Sequence, residues 1–290
     1  MRAQVTAVTA AVTGAAAQCH SPAPRWVPAT VLSRAALPPG RLDGVTSDSA
    51  VSGGDVDPFR NERTVRDEAP QFVLPLVVRI ERDAPPARTD ALETAARAVL
   101  TILSDERALG DGEWAQVMRD WQDARIRKVV RRARGAEWRR AEALPGITVT
   151  GKSAEVRVFP PVPLDGWPKD LARLQVSGTD LDDPEPPADA DPTAPVLWLN
   201  PDLDMSAGKT MAQTGHGAQL AWWELSEEER TAWRQAGFPL SVRTAAPAQW
   251  AELISSERPL VRDAGFTEIA PGLTVAVEGH HRVRSLQRLT

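Results

Sequence analysis

Short, nearly continuous apolar runs alternate along this chain with longer stretches whose apolar residues recur every three to four positions. The first kind predicts strands covered on both faces, and the second predicts helices with a buried stripe. Phe72–Ile80, FVLPLVVRI, is a run of the first kind. Thr89–Asp105 and Glu113–Gln122 are helical in spacing, Arg127–Arg132 is a second strand and Ala136–Ala143 a third helix. Ile147–Val149 and Ala154–Phe159 close this set as two further strands. A second set repeats the order: Val196–Leu199, Gly208–Leu225, Glu227–Gln235, Leu240–Thr244, Pro247–Ile254, Leu260–Arg262 and Leu273–Val277. Strands that alternate with helices of crossover length predict an α/β fold. Each set forms a small mixed β-sheet flanked by helices, an α/β/α sandwich.

The two sets share residues as well as order. Val130–Trp138, VRRARGAEW, and Val242–Trp250, VRTAAPAQW, are identical at five of nine positions. Ala87–Ala96 can be laid on Gly208–Gly217, each after a strand that begins Val-Leu, at Val73 and at Val196. The offsets are 121 residues upstream and 112 downstream, so the expectation is a tandem duplication with loops of unequal length. Between the copies, residues 178–195 hold five prolines and six acids in eighteen residues, which predicts an extended linker. Residues 1–67, rich in Ala, Pro, Gly, Ser and Thr without periodicity, are expected to be a disordered extension. The weakly apolar first nineteen residues make a signal peptide the lesser reading. The organisation expected is therefore extension 1–67, first copy 68–177, linker 178–195, second copy 196–281 and basic tail 282–290.

Composition narrows the classes. A single cysteine, Cys19, excludes an intramolecular disulfide framework and fits a reducing compartment, so a cytoplasmic location is expected. Four histidines, only one of them inside a predicted element, argue against a zinc site. No apolar run approaches the ~20 residues of a membrane span.

Candidate chemistry concentrates where the strand Val196–Leu199 leads into the following helix. Lys209, Gln213 and His216 stand at i, i+4 and i+7 and share one helix face. Gly208-Lys209-Thr210 mimics the end of a phosphate-binding loop, but Leu203 stands where that motif requires glycine. Taken singly, Lys209 is an ordinary solvated helix charge and His216 an ordinary core histidine. Their joint spacing is what raises them to candidates. In the first copy these positions are Arg88, Leu92 and Ala95, so one active site is expected.

The pattern Gly208, Lys209, Ala212, Gln213, His216 resembles the G-K-x-x-A-Q-x-x-H helix of the type 2 peptidyl-tRNA hydrolases. About fifty residues on, Asp263, Ala264, Gly265, Thr267, Ile269, Pro271, Gly272, Thr274 and Val275 resemble that family's D-A-G-x-T-x-I-x-P-G and T-V signature. The likeness spans roughly residues 196–279. It departs at Gly217, where the family has Ala, and at Glu278-Gly279-His280, where it has I-G-P. The resemblance implies hydrolysis of the ester joining peptide to tRNA, without metal or other cofactor. It implies roles for Lys209, Asp263, Thr267, His216 and Gln213 in catalysis and for Gly208 and Thr274 in binding substrate. A carboxylate such as Asp263 can take a proton from water, directly or through Thr267, while Lys209 stabilises the oxyanion. His216 and Gln213 either orient the water or hold the terminal adenosine. The alternative is a non-catalytic adaptor that keeps the fold and binds RNA or protein.

Charge bears on tRNA as partner. Residues 196–281 hold six Lys and Arg against eleven acids, a poor phosphate surface. Arg125–Arg140 instead carries eight cations and one acid, so Arg127, Arg131, Arg132 and Arg134, with Lys128 among them, are expected to grip the acceptor stem. The resembled family forms homodimers, and a tandem copy can occupy the partner's place. A monomer with an internal pseudo-dimer is the expected assembly.

Overall fold

The structure, a computed structural model, describes residues 70–265 and 267–283, all within the compact unit Val56–Thr290. The expected extension 1–67, Cys19 included, and residues 284–290 of the basic tail lie outside the described residues.

Among the described residues the first half contains β1 (Phe72–Arg79), α1 (Arg88–Leu103), α2 (Ala115–Asp123), β2 (Lys128–Ala133), α3 (Gly135–Glu142), β3 (Ile147–Thr150), β4 (Glu155–Val158), β5 (Val162–Pro163) and α4 (Lys169–Ala172). The second contains β6 (Val196–Leu199), α5 (Ala207–Glu224), α6 (Glu227–Gln235), β7 (Ser241–Thr244), α7 (Pro247–Ser255), β8 (Leu260–Asp263) and β9 (Gly272–Glu278). A mixed α/β architecture with two mixed sheets is what the pattern predicts. The sequence reading missed β5 and α4, both too short to show a period.

The sheets have one topology. The first runs β2-β1-β4-β3 and the second β7-β6-β9-β8. In each, the first two strands in sequence pair in parallel and the remaining pairs along this order are antiparallel. Pairing also corrects the alignment of the halves. Leu76 lies between Val130 and Val158, and Leu197 between Val242 and Val277, so Leu76 corresponds to Leu197. Val73 has a different place, beside Val162 of β5 at the longer front end of β1. Strand and helix are thereby related by the single offset of 121 residues that takes Arg88 to Lys209.

Each sheet is covered on both faces, which is why its inner strands read as unbroken apolar runs. In the first half α1 and α2 cover one face, while Trp138 and Ala141 of α3 and Leu171 of α4 cover the other with Val77 and Phe159. In the second half α5 covers one face, and Trp250 and Leu253 of α7 cover the other with Ala276. The two halves are not separate globules. One core runs from Leu74, Leu92 and Val99 through Met211, Ala218 and Trp222 to Val275. Helices α1 and α5 meet within it, with Thr214 Oγ1 donating to Leu92 O at 3.4 Å and Arg88 to Thr210 Oγ1 at 3.4 Å. Between two sheets and a partner helix, α5 buries thirteen of its eighteen residues. Such a helix is apolar almost all round, and its polar members need a specific reason to be there.

The segment 178–195 forms no helix or strand, yet it is not a free tether. Thr179 is fully buried, Leu181 is 5% exposed within the shared core, and Asp183 accepts from Thr89 N at 2.8 Å at the start of α1. Most of its prolines and acids face outward, while Thr179, Leu181, Ala194 and Pro195 are buried and anchor it, which corrects the expectation that it buries nothing.

Candidate active site

The site is assembled by the start of α5 and the loop between β8 and β9. Asn200, just past β6, clips its loop to β9: its N–H donates to Thr274 O at 3.0 Å and its Nδ2 to Leu273 O at 2.9 Å. Ser206 then caps α5, accepting from Lys209 N at 3.2 Å. The β8–β9 loop grips this same cap, because Glu268 accepts from Ser206 N at 3.1 Å and from Ser206 Oγ at 2.8 Å. Glu268 occupies a variable position of the second motif, and sequence reasoning passed over it.

Lys209 thus stands in the first turn of α5, where the helix dipole disfavours a cation. A carboxylate compensates. Lys209 Nζ lies 2.5 Å from Asp263 Oδ2 and donates to Thr267 Oγ1 at 2.9 Å. One turn on, Gln213 Nε2 donates to the same Asp263 Oδ2 at 2.8 Å. Thr274 Oγ1 donates to Gln213 Oε1 at 2.8 Å, which fixes which end of the amide faces the carboxylate. Asp263 Oδ1 accepts from Gly265 N at 2.8 Å. That turn requires glycine: φ is +78°, and a Cβ there would lie 2.5 Å from Pro271 Cδ.

The structure therefore brings Lys209, Gln213, Asp263, Thr267 and Thr274 into one hydrogen-bonded cluster. Thr267 is exposed, whereas Thr274 is fully buried and lies beneath the cluster, orienting Gln213 rather than meeting a ligand. Gly208 is likewise engaged, its N–H donating to Thr179 Oγ1 at 2.9 Å. At Gly217 a Cβ would stand 3.1 Å from Val275 Cγ1, so α5 lies close against the sheet there.

His216 continues the helix face but has other partners. Its Nδ1 lies 3.2 Å from Lys128 Nζ, a residue of β2 in the first half. Lys128 also donates to Gln219 Oε1 at 2.5 Å and Ile126 O at 3.3 Å, and sits 4.9 Å from the centre of the Trp121 ring. Burial, with the charges of Lys128 and Lys209, pushes His216 well below the usual histidine range, so the ring is neutral at physiological pH. Burial alone pushes Lys128 well below the usual lysine range. Lys128 is 8% exposed, so it leaves the expected basic surface.

Other members of that surface are also spoken for. Arg131 donates to Ala172 O at 3.2 Å and Leu174 O at 2.5 Å and lies 4.3 Å over Trp167. Arg132 donates to Ser177 O at 2.9 Å and to Gln175, and Arg127 to Gln71. The guanidiniums of Arg131 and Arg132 strap residues 172–177 against β2. Arg134, Arg139 and Arg140 are exposed, Arg140 with its Nε 3.6 Å from Asp170 Oδ1.

The first half has no such cluster at the corresponding positions: Leu92 and Ala95 are core and Arg88 turns to Thr210. Its acid, Asp90, instead holds the β3–β4 turn by accepting from the N–H groups of Lys152, Ser153 and Ala154. Burial raises the Asp90 pKa, but these bonds and that from Ser153 Oγ outweigh it and hold the carboxyl below its ordinary range.

A cleft of about 420 Å³ lined by Arg97, Thr101, Asp105, Val149, Arg234 and Phe238 shares no residue with the cluster. No group of three or more His, Cys, Asp and Glu converges among the described residues, and no helix among them is long and apolar enough to cross a membrane. Compared with models of known protein families, the chain matches none.

Proposed function

We propose that this chain hydrolyses the ester bond of peptidyl-tRNA, releasing peptide and free tRNA, with one active site in its second half. The observation that carries the reading is the convergence of Lys209 and Gln213 from one motif with Asp263 and Thr267 from another, across 50 to 58 residues of chain. Two separate stretches that resemble one family supply one cluster, a coincidence that an unrelated fold has no reason to produce. In the proposed reaction a water held at Thr267 attacks the ester carbonyl carbon and loses its proton to the Asp263 carboxylate, directly or through the threonine hydroxyl. The Lys209 ammonium stabilises the oxygen that becomes negative. The carbon–oxygen bond to ribose then breaks, and the proton passes to the departing hydroxyl. Gln213 keeps the carboxylate oriented, and His216, neutral and next on the same face, either orients the water or holds the terminal adenosine.

A tRNA partner requires cations that are free to meet phosphates. In this reading Arg134, with Arg139 beside it on α3, carries that contact. Arg127, Arg131 and Arg132 contribute mainly by holding the surface together. The shared core of the two halves supports a tandem duplication in which the first copy takes the place of a second subunit, giving a cytoplasmic monomer. The adaptor reading has its own support, since Lys209 and Asp263 are only 11% and 10% exposed and neutralise one another, as a structural clamp would. Peptide release from peptidyl-tRNA by the purified full chain, with Lys209→Ala as control, separates the two. Release that depends on Lys209 favours the enzyme, and tRNA binding without release favours the adaptor.

A further inference from the structure

The contact between α5 and β2 is asymmetric in a way that packing does not demand. With the halves aligned by strand and helix register, the counterparts of Lys128, His216 and Gln219 are Leu240, Ala95 and Ala98. All three counterparts are buried in the apolar core. At these three positions one side of the interface between halves is aliphatic, its polar contact being the separate Glu93–Arg243 ion pair at 2.9 Å, whereas the other side brings together a lysine amine, an imidazole and an amide. The polar side is also incompletely satisfied. Gln219 is fully buried, its Oε1 accepts from Lys128, and its Nε2 has no partner among the described residues. Gly215 makes room for this arrangement: a Cβ there would stand 2.9 Å from Val99 and 3.3 Å from the Lys128 stem. A fold that needed only cohesion at these positions had the aliphatic solution that their counterparts show.

We propose that Lys128 is a positioning residue for His216, so that the site in the second half is completed across the interface by the first. Lys128 Nζ lies 3.2 Å from His216 Nδ1, and in the proposed arrangement the amine is the donor, which leaves Nδ1 as acceptor and places the ring proton on Nε2. The imidazole cannot rotate without abandoning that bond, and its Nε2–H is the group offered to a substrate or water. The charged groups facing the ring are Lys128 from β2 and Lys209 on α5 itself, and both disfavour an imidazolium. For catalysis this rests on the hydrolase reading. For the state of the ring it does not.

The test is nitrogen-15 NMR of the histidine rings in the full chain, with His216 assigned by His216→Gln, beside turnover of peptidyl-tRNA. The expected wild-type result is a neutral His216 protonated at Nε2 from pH 8 to below 6. In Lys128→Met the Nδ1 shift should move, the ring should titrate at higher pH, and kcat should fall about tenfold with KM little changed, a fraction of the usual acid–base contribution. Lys128→Arg, which keeps a donor, should recover part of both. A wild-type ring protonated at Nδ1, or a folded Lys128→Met with wild-type ring shifts, overturns the proposal. If Lys128→Met does not fold, the wild-type tautomer and Lys128→Arg decide. Ring shifts that follow Lys128 in a chain without turnover uphold the positioning and sink the hydrolase reading instead. Turnover with kcat and ring shifts indifferent to Lys128 does the reverse.

Discussion

Lys209 Nζ and Asp263 Oδ2 meet at 2.5 Å across 54 residues of chain, in an ion pair whose side chains are about nine-tenths covered. Asp263 keeps two further donors, Gln213 Nε2 and Gly265 N, whereas among the described residues Lys209 keeps the Thr267 hydroxyl as its one further side-chain partner. The two residues are therefore unequal in what their removal leaves behind. Lys209→Ala and Asp263→Asn should each lower hydrolysis at least ~100-fold, the scale of an oxyanion or acid–base group. Asp263→Asn should be the more destabilising, because it strands a covered cation, and a cost of a few kcal/mol is expected. Denaturant melts of both variants check the order, and a Lys209→Ala less stable than Asp263→Asn contradicts it.

Gly265→Ala tests whether the β8–β9 turn holds Asp263 in place. With φ at +78° and Pro271 in the way, alanine should cost ~1–3 kcal/mol and detach the Gly265 N–H from the carboxylate. Activity should fall with stability. Full activity in a variant melting at the wild-type temperature would mean the turn does not set the carboxylate.

The neutral, half-buried His216 predicts a pH dependence with a definite sign. In the unfolded chain it protonates near pH 6.5, and in the fold only at lower pH. Above pH 6.5 both states are neutral and nothing is gained or lost. Below it the unfolded chain takes up a proton that the folded chain refuses, so stability falls with acid by at most about 1.4 kcal/mol per pH unit. Melting temperatures at pH 7.5 and 5.5 should diverge more for wild type than for His216→Gln. An equal drop in both would place the acid sensitivity elsewhere.

The core shared by α1 and α5 predicts assembly. In the pseudo-dimer reading that face is already covered within the chain, so light scattering at micromolar concentration should give the mass of one chain, 31.4 kDa. A stable mass of two chains would contradict the internal pseudo-dimer.

Much of this was legible in the sequence, and the exceptions have a common cause. The strands at β1 and β6 and the helices α1 and α5 announce themselves by unbroken or periodic apolar residues, because both faces of each sheet are covered. The face carrying Lys209, Gln213 and His216 follows from spacing alone. What spacing does not convey is where an isolated side chain goes. Lys128 at a strand start reads as solvated charge, yet it is buried against Trp121 and His216. Arg131 and Arg132 read as phosphate ligands, yet backbone carbonyls of residues 172–177 accept their protons, and carbonyls leave no mark in a sequence. Thr179 and Leu181 sit in an acidic, proline-rich run with no period to betray their burial.

The central claim is that the Lys209–Asp263 cluster cleaves peptidyl-tRNA, and single-turnover release of an N-blocked aminoacyl group from tRNA by excess full chain tests it most directly. The account predicts release at least ~100-fold faster with wild type than with Lys209→Ala or Asp263→Asn at equal tRNA occupancy. Wild-type chain that binds the tRNA and releases the acyl group no faster than buffer would contradict it and leave the adaptor.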